Sequence, residues 1–368
     1  MAQKALNLAL QGGGSHGAYT WGILDRLLEE RDIDIHGVSG TSAGAMNAVV
    51  MSAGFREGGR ETAKEKLHDF WQNVSQTGAF MNASNQSEVE RIAEGWNIDK
   101  SFGYLWFDTL TRMLSPYQLN PFNVNPMRDI LRKVIDWERV NKGGDIPLFI
   151  TATSVTTSRP RVFRCHEVTE DVLLASSCVP FLFQSVEIDG EPYWDGGYMG
   201  NPSIWPLIYN TGTKDVLLVQ INPLVRLGTP KTAQDIINRM NEITFNSSLI
   251  AEMRAINFVG DLVESKQLDD AHYKKMHMHM IAAPDASHGL NASSKVNTDW
   301  RFLKFLRGIG RENADQWIAK YKTDIGRKGS IDIAEVFLGI QKHQKSATVH
   351  NLNKNDIRQK TKRRAKSA

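Results

Sequence analysis

The chain has 368 residues, 41% apolar and 23% charged, with a formal net charge of +3. This composition excludes a disordered or collagen-like chain, no period repeats along it, and it is long enough to bury a substantial core. The charge is uneven: residues 346–368 carry seven basic side chains against one acid, so the rest of the chain is net acidic and nucleic-acid binding is not expected.

From the N-terminus, Ala5 to Leu10 reads as a short buried strand, and Gly12-Gly13-Gly14-Ser15-His16-Gly17 turns it into a helix. In that helix Ala18, Trp21, Leu24 and Leu28 form an apolar stripe, with Asp25, Arg26, Glu29 and Glu30 outside it. A second strand over about 33–38 ends in Gly40-Thr41-Ser42-Ala43-Gly44, followed by an apolar helix from Ala43 to Met51. Strand, glycine turn and helix, twice in succession, predict an α/β fold with a mainly parallel central sheet flanked by helices. A helix over 59–74 and a polar loop over about 73–87 come next.

Phe102, Leu105, Trp106, Thr109, Leu110, Met113, Leu114 and Tyr117 recur at helical spacing. They fit either an ordinary core helix, the favoured reading, or a lid over an acyl-binding cleft. A further helix is expected over 127–137, and strands over 147–155, 161–165, 216–221 and 276–281. The region after Pro223 reads as mostly helical, with Ser330 as the expected N-cap of the last helix. The expected organisation is therefore a core over 1–222, a helical C-terminal extension over 223–345 packed on it, and a basic, disordered tail over 346–368.

Two cysteines, Cys165 and Cys178, are too few for a disulfide scaffold and predict a reducing, cytosolic setting. The apolar stretch after Lys4 is too short for a signal peptide, and no apolar run reaches the roughly 18 residues of a membrane span. The basic tail predicts either peripheral contact with an anionic membrane surface or plain disorder.

Gly40-Thr41-Ser42-Ala43-Gly44 matches Gly-x-Ser-x-Gly, which sets a serine hydroxyl on a sharp turn above a helix N-terminus. Gly12, Gly13 and Gly14 offer successive unshielded N–H groups, a nest for an oxyanion or a phosphate. Gly12-x-Gly14-x-x-Gly17 also fits a dinucleotide-binding fingerprint, which calls for an acidic residue ending the second strand. Asp32 and Asp34 lie before or at the start of that strand instead. A hydrolytic serine needs a base. His272, His277, His279 and His288 sit in no recognisable setting, whereas Asp195 ends a short strand and precedes Gly196 and Gly197, which let backbone approach it closely. In Met276-His277-Met278-His279-Met280 alternation puts both histidines on one strand face, read as strand histidines rather than a metal pair because no third ligand is evident.

The glycine triplet, the serine elbow and Asp-Gly-Gly, in this order, resemble the patatin-like phospholipase family, as do Ala175 to Pro180 and Asn201-Pro202. The resemblance runs from about Leu6 to Asn222. It implies a Ser–Asp dyad without histidine, acting on acyl esters of lipids with no metal or cofactor. By motif position Ser42 is the nucleophile, Asp195 the general base and Gly12, Gly13 and Gly14 the oxyanion hole, with Gly17, Gly40, Gly44, Gly196 and Gly197 supporting the turns. The family usually has Arg or Lys two positions after the triplet; here His16 stands, expected to be partly charged near its ordinary pKa of about 6.5. A lipid-binding or regulatory protein with a vestigial site, a dinucleotide-binding oxidoreductase, and acyl transfer to an acceptor other than water are the alternatives.

Overall fold

Leu6, Leu8 and Leu10 of the first strand bury into one apolar cluster and Ala9 into another, so this strand is covered on both faces. The computed structural model describes residues 3–80, 95–99, 106, 109–111, 113–141, 146–283, 290 and 293–340. Within them the strands are β1 (Lys4–Leu10), β2 (Ile33–Thr41), β3 (Leu148–Ser154), β4 (Pro160–Arg164), β5 (Val186–Ile188), β6 (Glu191–Asp195), β7 (Asp215–Gln220) and β8 (His277–Ala282). They form one sheet in the order β5-β6-β3-β2-β1-β7-β8, with β4 also paired to β3. β3, β2, β1, β7 and β8 run parallel, while β4, β5 and β6 join antiparallel. The fold is the predicted mainly parallel α/β sheet flanked by helices, and β8, from beyond residue 222, is part of the same sheet.

The helices are α1 (Gly17–Leu27), α2 (Ala43–Phe80), α3 (Pro116–Leu119), α4 (Pro126–Val134), α5 (Trp137–Asn141), α6 (Glu170–Ser176), α7 (Trp205–Asn210), α8 (Ala233–Glu264), α9 (Trp300–Tyr321) and α10 (Ile333–Leu338). One face of the sheet packs on α1, α2 and α9 through Trp21, Leu24, Val49, Phe70 and Phe302. The other packs on α7, α8 and α10 through Leu207, Leu249, Met253 and Phe337.

Several elements differ from the sequence reading. α2 runs on to Phe80, broken only at Gly58 and Gly59, so residues 73–80 are helix rather than loop. The polar composition misled because tertiary packing holds this turn: a Cβ on Gly78 would lie 2.0 Å from Thr298 Oγ1. The helix expected over 127–137 is two helices, α4 and α5. The last helix is capped by Asp332, which accepts from the amides of Ala334 and Glu335, not by Ser330. Asp25 is buried and paired with Arg307 at 2.7 Å and with Arg311 of α9. In the aromatic stripe the described Trp106, Met113, Leu114 and Tyr117 are exposed, which overturns the core-helix reading for them. Phe102 and Leu105, His288, and the 346–368 tail lie outside the described residues.

Candidate active site

The carboxyl ends of β1, β2 and β7 meet where the backbone turns away from the sheet, the usual place for a site in a parallel α/β fold. Ser42 follows β2 directly and takes φ 55°, a left-handed conformation that costs a non-glycine residue about 1–3 kcal/mol. Its surroundings hold it there: its N–H donates to Ser176 Oγ at 2.9 Å, and that hydroxyl donates to the Thr151 carbonyl at 2.7 Å. The turn tolerates no larger neighbours. A Cβ on Gly44 would lie 2.2 Å from the Leu10 carbonyl oxygen, and one on Gly12 would lie 2.6 Å from Ser42 Cβ. Gly17, Gly40, Gly196 and Gly197 are equally crowded, by Ala43, Gly44, Thr151 and Phe245 respectively.

Asp195, at the end of β6, is brought beside Ser42, whose hydroxyl favours the ionised form of its carboxyl. The backbone of Asp195 is held on both sides, its N–H donating to the Cys178 carbonyl at 2.8 Å and its carbonyl accepting from Thr153 Oγ1 at 2.8 Å. The Gly197 amide donates to Oδ1 at 2.7 Å. Burial raises the carboxyl from 3.8 to about 7, against the opposing effects of the Gly197 amide, the Ser42 hydroxyl and the Lys295 charge.

The glycine triplet does not present three equivalent donors. The Gly12 N–H donates to Asn201 Oδ1 at 2.7 Å, which withdraws it from the expected set of three. The Gly12 carbonyl accepts from Asn222 Nδ2 at 3.0 Å, and the Gly13 carbonyl accepts from the His16 amide at 3.2 Å. A peptide unit is planar with its N–H opposite its carbonyl. Fixing these two carbonyls therefore aims the amides of Gly13 and Gly14 the other way, and neither has a partner among the described residues.

His16 is the second departure. It is buried, with Nε2 2.8 Å from Ser294 Oγ and its ring edge-on to Phe302. Burial, reinforced by Lys295 and Arg226, pushes its pKa down to about 3, so it is neutral at physiological pH rather than partly charged. The cation beside the triplet is Lys295, whose Nζ donates to Asn222 Oδ1 at 2.6 Å. Lys295, Asn222, Ser294 and the Phe245 ring over Gly197 were not singled out by sequence reasoning. Asn222 alone had a usable signal, standing just past β7 beside β1.

His277 and His279 share Asp215, at 3.4 and 3.0 Å, at the opposite end of β7 from Asn222. Among the described residues no group of three or more His, Cys, Asp or Glu could hold a metal, and no helix is long and apolar enough to cross a membrane.

A serine on a strand-to-helix turn, beside a buried carboxyl and a glycine turn whose Gly13 and Gly14 amides have no partner among the described residues, is an arrangement suited to acyl transfer on an α/β sheet. The chain belongs to the patatin-like phospholipase family, whose model matches residues 8–208. Among solved structures it is similar to VipD from Legionella pneumophila, with 18% identity over 83% of this chain and 67% of that one and a TM-score of 0.35. It is also similar to ExoU in the ExoU–SpcU complex from Pseudomonas aeruginosa, with 13% identity over 96% of this chain and 61% of that one and a TM-score of 0.39. No curated protein matches the chain.

Proposed function

We propose that the protein is a serine acyl hydrolase of the phospholipase A or lysophospholipase type, working through a Ser42–Asp195 dyad and an acyl-enzyme. The observation that carries this reading is the Ser42 hydroxyl held beside the buried Asp195 carboxyl, next to the Gly13 and Gly14 amides that have no partner among the described residues. Asp195 takes the hydroxyl proton as Ser42 Oγ attacks the ester carbonyl, and the two amides receive the oxyanion. The protonated Asp195 then returns the proton to the leaving alcohol. Water activated by the same carboxylate cleaves the acyl-enzyme. A carboxyl near 7 suits this shuttle because it gains and loses a proton readily at neutral pH.

A lipid substrate is supported by the surface beside Asp195. The segment after Cys178 carries exposed Phe181 and is tied to residues 117–120 by Tyr117 Oη to Ser185 and Gln184 Nε2 to the Asn120 carbonyl. That neighbourhood also exposes Tyr117, Leu119, Phe122 and Val124.

The test is hydrolysis of phospholipids, lysophospholipids, triglycerides and short-chain esters by the protein and its Ser42→Ala and Asp195→Asn variants. Turnover lost in both variants is expected. Activity retained in either refutes the dyad, and none in the unaltered protein points to a vestigial, lipid-binding site.

A further inference from the structure

The loop after β7 and the 3₁₀ turn Ser293–Val296 both close on the glycine triplet. Gly14 adopts φ 58°, and a Cβ there would lie 2.4 Å from the Lys295 carbonyl oxygen, so the Lys295 backbone is pressed against the triplet. The Lys295 side chain then turns to Asn222, at 2.6 Å, and Asn222 in turn donates to the Gly12 carbonyl. That carbonyl shares one rigid plane with the Gly13 N–H. Gln11 Oε1 steadies the relay by accepting from the amides of Ile221 and Asn222, both at 2.8 Å.

We propose that Lys295 is a positioning residue of the site, aiming the Gly13 N–H through Asn222 and placing a positive charge near Asp195. This rests on the dyad reading above. Arg226 is committed to Glu242 of α8, which also pairs with Arg239. His16 is neutral. Cys178 and Tyr198 beside Asp195 have their pKa values raised to about 12, chiefly by burial, so neither supplies charge near neutrality. Lys295 thus favours the ionised form of Asp195, and Asp195 that of Lys295. Burial brings the ammonium down to about 8, so the charge itself is lost in the alkaline range.

The experiment is the pH profile of kcat/KM on a soluble short-chain ester for the unaltered protein, Lys295→Met, Lys295→Arg and Asn222→Ala. Lys295→Met is expected to move the acid limb upward by at least about half a pH unit and to lower kcat more than it raises KM. Asn222→Ala keeps the cation, so kcat falls while the acid limb stays. Lys295→Arg holds its charge throughout, so its acid limb matches the unaltered protein and the decline above about pH 8 disappears. An acid limb in Lys295→Met that coincides with the unaltered protein's overturns the proposal. Should Lys295→Met fail to fold, an unaltered alkaline decline in Lys295→Arg overturns it alone. These results are separable from failure of the dyad, which shows instead as activity surviving in Ser42→Ala or Asp195→Asn.

Discussion

Asp195→Asn should stabilise the protein while removing its activity. The carboxyl is buried and raised from 3.8 to about 7, so between those values the folded state holds a proton that the unfolded state has released. Stability attributable to this group therefore falls as pH rises from about 4 to about 7 and stays low above. At about 1.4 kcal/mol per pH unit, the full displacement amounts to roughly 4 kcal/mol, an upper figure. Asparagine fills the same space and can still accept from the Gly197 amide, 2.7 Å from Oδ1, without the charge. The assay is chemical unfolding of both proteins from pH 4 to 9, reading the difference between them. That difference should be small at pH 4, open by about 2–4 kcal/mol across neutrality and then level off, with Tm at pH 8 higher by roughly 3–5 °C. A difference that does not change with pH would refute burial of an unmatched carboxylate at this position.

His16 makes the opposite demand. Its pKa is depressed to about 3, so it contributes stability above about pH 6.5 that is lost as pH falls; His16→Gln should flatten this acid sensitivity in the same unfolding assay. His16→Arg forces a permanent charge between Lys295 and Arg226 and should cost several kcal/mol, seen as a lower Tm or insoluble protein. Gly12→Ala places a Cβ 2.6 Å from Ser42 Cβ; kcat should fall by about 10²–10³ as the nucleophile and donor amides separate, checked by ester turnover on folded protein. Replacing the exposed Phe122 and Phe181 with Glu should lower hydrolysis of vesicle lipid while sparing a soluble short ester; equal effects on both substrates would count against that surface meeting lipid.

Motifs held together by short-range geometry were legible in the sequence. The two strand–glycine–helix turns specify a parallel sheet, and Gly40 to Gly44 places Ser42 because only glycine fits against Leu10 and Gly44. Asp195 could be found because Gly196 and Gly197 mark its close backbone contacts. What escaped depends on chain segments far apart in sequence. The state of His16 is set by Ser294, Phe302 and Lys295, nearly 300 residues away, and nothing local announces burial. The withdrawal of Gly12 depends on Asn201, and the direction of the Gly13 amide on Asn222. The extra turns of α2 escaped for the same reason, since their polar surface reads as a loop until Thr298 packs on Gly78.

The most direct measurement is mass-spectrometric mapping after exposing the native protein to a serine-reactive fluorophosphonate. The account predicts one phosphonate on Ser42, formed with loss of fluoride and far more slowly in Asp195→Asn, because the nucleophile is activated by that carboxylate and the phosphoryl oxygen is held by the Gly13 and Gly14 amides. An unlabelled protein, a label on another residue, or labelling of Ser42 at an unchanged rate in Asp195→Asn would contradict it.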